Sequence, residues 1–160
     1  MRHFTKAGGL RAVVAAVAVL GVLAGPVAGA SASDASIKSV IKSYDSKILV
    51  AEGHVVSALG EYKSTGDPTK VDAAIAKSVT VLRSLKTAIG TQSASSTTVK
   101  EGKIKFEKGL KGVIVAYEHL KTAFGEKSVS PAAAKEQASK ALKSLKEASS
   151  ELKEGSKLLR

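Results

Sequence analysis

The sequence contains no cysteine and no tryptophan, a single methionine at its first position, and three prolines in 160 residues. Without cysteine there can be no disulfide, no thiolate nucleophile and no lipid-bearing residue behind an export signal, so stability must come from packing alone. Aromatic residues make up 4% of the chain. That is a thin supply for the stacking platforms that hold sugars or single-stranded nucleic acid, and nucleic-acid binding is not expected. Strand-like alternation of β-branched residues is scarce, and the one long apolar run, AVVAAVAVLGVLAG at residues 12–25, falls short of the roughly 20 residues a membrane-spanning helix needs.

That run has the setting of a secretory signal. Arg2, Lys6 and Arg11 precede or open it, Pro26 breaks it, and small residues follow, with cleavage motifs at Ala28-Gly29-Ala30 and Ala30-Ser31-Ala32. Residues 1–32 are therefore expected to be a Sec-type signal peptide that is removed, cut after Ala30 or Ala32. The expected location is secreted or extracellular, with non-covalent wall association as a variant and no transmembrane segment in the mature chain. Residues 33–160 retain 22 basic and 14 acidic side chains, and the excess is uneven: net +2 over residues 33–95 and +6 over residues 96–160. A basic half of this kind attracts anionic polymers or lipid headgroups through a screened field, though net charge speaks first to solubility.

What is abundant is helix-forming: alanine, lysine, serine and leucine dominate residues 33–160. Apolar residues three and four apart mark four long segments. Their stripes run from Ile37 through Ile48 and Val55 to Tyr62, from Val71 through Ser78 to Ile89, from Val99 through Phe106 and Tyr117 to Phe124, and from Ala138 through Leu145 to Leu159. Asp67-Pro68 and Ser130-Pro131 each set a capping side chain ahead of a proline suited to a first helical position. Thr98 and Glu101 have capping-box spacing, and GTQSASSTT at residues 90–98 reads as a connection.

One pattern runs through both halves. VAEGHVVSALGE, from Val50, is echoed sixty-five residues on by VAYEHLKTAFGE, from Val115. With two residues dropped from the second loop, Pro68 aligns with Pro131 and Lys77-Ser78-Val79 with Lys140-Ala141-Leu142. The expected fold class is all-α: a four-helix antiparallel bundle built from a tandemly duplicated αα-hairpin after an N-terminal signal peptide. Its single domain spans 33–160, with hairpin 1 at 33–90, a linker at 91–98 and hairpin 2 at 99–160.

Catalytic chemistry finds little footing. Beyond the signal the only histidines are His54 and His119, no glycine-rich phosphate loop follows a strand, and no carboxylate stands in a setting that would tune it for proton transfer. No enzyme activity and no cofactor are expected. Two histidines at matched points raise the idea of a metal or haem carrier, but at 100° per residue both fall well off their apolar stripes. The same wheel gathers Val50, His54, Ser57 and Glu61 on an outer flank, and Val115, His119, Thr122 and Glu126 likewise; Leu49, Val56 and Ile114 widen its apolar character. A helix apolar nearly all round has neighbours nearly all round. Shared descent alone accounts for a repeated stripe, and an interaction surface is the sharper alternative.

The expectation is thus an exported, non-catalytic helical bundle acting by binding or assembly, with a protein partner or a second copy of itself. Adhesion of a basic bundle to anionic cell-wall or membrane polymers is the first alternative, and a histidine-based metal or haem carrier the second. Gly60 and Gly125 are expected to end or weaken their helices. Gly102, Gly109 and Gly112 either permit close helix approach or merely lower helix stability.

Overall fold

The structure is a computed structural model that describes residues 32–126 and 130–159. The expected signal peptide lies outside the described residues except for Ala32. Among the described residues all regular structure is helical and there is no strand: α1 spans Ala32–Thr65, α2 Thr69–Gly90, α3 Thr97–Glu126 and α4 Pro131–Leu158. The chain is a helical bundle.

Local chemistry sets the helix ends. α1 continues through Gly60 and stops where Gly66 takes a positive φ of 74°, its N–H returning to Tyr62 O at 2.8 Å. This is the left-handed C-terminal position that glycine fills without steric cost. Gly60 therefore does not end its helix, whereas the range of α3 closes at Glu126, one residue past Gly125. Asp67 Oδ1 accepts the Thr69 N–H at 2.9 Å and the Thr69 hydroxyl at 2.7 Å, and these bonds hold its carboxyl below the usual range. Pro68 already has helical angles there. At α4, Ser130 is extended (φ −143°, ψ 92°), its hydroxyl accepts the Ala133 N–H, and Pro131 opens the helix. The start of α3 differs from the expected capping box. Ser96 Oγ takes the Val99 N–H at 3.1 Å, so the helix begins at Thr97, two residues before the boundary drawn at 99.

The four stripes meet in one core. Ile37, Ile48, Val55 and Leu59 of α1 join Val71, Ile75, Leu82 and Leu85 of α2, Phe106, Leu110, Tyr117 and Leu120 of α3, and Ala141, Leu145 and Leu152 of α4. Burying a side chain as large as Leu or Phe contributes about 1.5–3 kcal/mol, so this cluster carries the fold. Ile114, expected on the outer flank, is buried with it.

α3 and α4 approach most closely, and glycine is the reason. A Cβ on Gly109 would stand 2.5 Å from Leu152 Cγ, and one on Gly112 2.8 Å from Ala148 Cβ. Across the seam a Cβ on Gly155 would stand 2.7 Å from the backbone nitrogen of Phe106. Residue numbers rise along α3 as they fall along α4, and Lys105–Glu154 and Lys108–Glu151 ion pairs flank the contact. Such exposed pairs add little; backbone proximity makes the seam. Elsewhere the rings of Tyr62 and Phe124 meet edge to face, 4.8 Å between centroids, joining α1 to α3. Asp34 accepts from the Ser95 N–H (3.0 Å) and hydroxyl (2.9 Å), tying the start of α1 to the connection between α2 and α3.

Candidate interaction face

On the outer flank of α1 several large apolar side chains remain in solvent, whereas on α3 Ile104 is exposed by itself at 65% among the described residues. Leu49 is 68% exposed, Val50 60% and Val56 39%. Between them lie Gly53 and Gly60, and a Cβ on either would meet nothing within 4 Å. Position on the helix explains this: Ile48, Ala51, Val55 and Leu59 are turned into the core, so residues one step away fall on the far side. His54 and Ser57 are exposed there too, and Glu61 closes the flank in an ion pair with Lys70.

The matched segment on α3 has a different environment. Val115 is half-buried beside Gly112 and Ala148, at the rim of a shallow groove shared with α4. His119 is half-buried as well, its Nδ1 2.8 Å from Gln137 Oε1, an arrangement in which the imidazole N–H donates. Thr122 is exposed and turns its hydroxyl back to Glu118 O at 3.0 Å. Glu126 is the last residue of α3, and its side chain lies outside what is described. The glycine seam draws α4 over this flank, whereas among the described residues no helix covers the corresponding flank of α1. Of the eight stripe residues the structure thus leaves Val50, His54, Ser57 and Glu61 together on an open face, and places Val115 and His119 against a neighbouring helix.

A second feature lies inside. Glu52, only 7% exposed, and Tyr117, 1% exposed, line a cavity of about 10 Å³ between α1, α2 and α3, together with Ile48, Ala51, Ser78, Val81 and Leu82. That is room for a single water. Ser78 donates its hydroxyl to Ala51 O at 3.2 Å, but Glu52 Oε1 and the Tyr117 hydroxyl have no hydrogen-bond partner among the described residues. Burial raises the Glu52 carboxyl from 4.5 to about 7. It also pushes the Tyr117 phenol up, and the Glu52 charge adds to that. The signal for Glu52 was available in its spacing, four residues after Ile48 and three before Val55 on the buried side. Glu52 and Tyr117 also hold the same place in the doubled motif, sixty-five residues apart.

Comparison with known proteins adds no relative: protein-family models, curated proteins and solved structures each gave no match. Function must therefore be argued from these surfaces. Among the described residues no three His, Cys, Asp or Glu side chains come together as a group able to hold a metal ion, and no helix is long and apolar enough to cross a membrane.

Proposed function

We propose that this chain is an exported, non-catalytic protein that works by binding or assembly outside the cytoplasm, as a duplicated antiparallel hairpin pair released from residues 1–32. The observation that carries this reading is the outer flank of α1, where Leu49, Val50 and Val56 remain exposed on one helix while the four core stripes close on one another. Apolar side chains gathered on one exposed surface mark interfaces more often than scattered ones do. Asp34, two residues beyond Ala32, is already tied to Ser95, which supports a bundle that begins where the signal ends. The pairing of Glu52 with Tyr117 at matched positions supports duplication, since two copies related by a rough two-fold bring equivalent residues together.

The test is a double substitution, Leu49→Asp with Val50→Asp. Both positions are exposed, so helical circular dichroism should be unchanged while association with partner or copy is lost. Retained association in the variant rejects the reading. Intact mass of protein recovered from the medium should correspond to a start after Ala30 or Ala32, and a mass that includes residues 1–32 rejects the export step.

A further inference from the structure

We infer that the outer flank of α1 pairs with the same flank of a second copy, the two α1 helices running antiparallel about a two-fold axis near His54. This rests on the proposed binding role and names its partner. The face reads Leu49, Gly53, Val56, Gly60, with steps of four, three and four residues. Read backwards the steps are the same, and large and small residues exchange places. An antiparallel copy therefore sets Leu49 over Gly60 and Val56 over Gly53, each apolar knob over a position where nothing lies within 4 Å. A parallel copy would put knob on knob and leave the glycine hollows empty. Self-complementarity of this kind is what a two-fold interface requires, because one patch must serve both sides.

Charge does not oppose this pairing. Among exposed positions from Ser46 to Gly60, Lys47 is the one with a permanent charge, so the seam escapes the repulsion expected between two basic chains. The chain itself shows what glycines seven residues apart do when a helix covers them: Gly102 and Gly109 have the same spacing as Gly53 and Gly60, and there α4 lies close enough to exclude a Cβ. A seam of about three turns on one helix is smaller than a standard interface, which places the dimer among weak, transient associations.

Sedimentation equilibrium of the protein purified from its producing cells or their medium, from about 5 to 500 µM, should fit a monomer–dimer equilibrium. Gly53→Leu fills the hollow without touching the monomer's own packing, so it should keep the helical signal and weaken the dimer about tenfold or more. A monomer throughout the range, or a dimer indifferent to Gly53→Leu, overturns the pairing. A photo-crosslinker at Val50 in the producing cells separates this from the broader role. An adduct of two copies supports both, an adduct with a different protein overturns self-pairing and leaves the binding role standing, and no adduct overturns both.

Discussion

Glycines of two physical kinds sit on these helices. At Gly155 an added methyl would press on the backbone of α3, 2.7 Å from Phe106 N and 2.9 Å from Gly102 O, and backbone cannot step aside as a side chain can. Gly155→Ala should therefore lower unfolding free energy by about 1–3 kcal/mol. At Gly53 and Gly60 nothing stands within 4 Å, and alanine there removes only the entropic cost of glycine in a helix. Each should raise stability by about 0.5–1 kcal/mol, read from urea unfolding at low micromolar concentration. If all three substitutions change stability in the same direction, the close seam between α3 and α4 is misplaced. Spacing could not have told the two kinds apart, because Gly102/Gly109 and Gly53/Gly60 share it. The difference is whether another helix lies opposite, which is a property of the assembled bundle. Core positions were more legible: the stripe from Val71 to Ile89 is buried throughout, because a 3.6-residue period fixes which face turns inward before any neighbour is known.

Elements are joined here by polar side chains reaching across loop ends. Lys103, in the second turn of α3, donates to Gly90 O at 2.9 Å and Gln92 O at 2.6 Å, closing one carbonyl that the end of α2 leaves without a helical partner and one in the connection. Its ammonium also sits where the helix dipole of α2 favours positive charge. Lys103→Met keeps the aliphatic stem and removes both effects, so it should cost about 1 kcal/mol and speed amide exchange in the last turn of α2 and the residues up to Ser96. An exchange pattern unaltered there would mean that the connection is held by Asp34 and Ser95 alone. Such cross-element ties were not visible in sequence. A Ser/Thr-dense stretch such as Ser95-Ser96-Thr97-Thr98 offers several equivalent caps, and only the path of the chain selects Ser96. Where proline restricts that choice, at Asp67-Pro68 and Ser130-Pro131, the start of the helix was readable.

At the scale of the whole molecule, the buried carboxyl of Glu52 makes the stability of the bundle depend on pH in an unusual direction. Burial raises its folded-state value from 4.5 to about 7, so between those limits the unfolded chain has released a proton that the folded chain still holds. The unfolded state then binds fewer protons, and stability falls as pH rises through that window. Below about 4.5 the penalty is absent; above about 7 it is complete, on the order of 3 kcal/mol for a shift of this size. Exposed carboxylates in ion pairs, such as Glu154 with Lys105, have lowered values, and their small contributions run the other way, being lost as pH falls. The clean readout is therefore the difference between the protein and Glu52→Gln, which keeps the shape and cannot ionise. That difference should be near zero at pH 4, grow in favour of the variant through pH 5 to 7, and level off by pH 8, measured as unfolding free energy in urea. Parallel profiles would mean that Glu52 reaches solvent and that the cavity it shares with Tyr117 is open. A difference that grows as proposed places an ionisable group at the meeting point of α1, α2 and α3, where its charge weighs on all three helices together rather than on α1 alone.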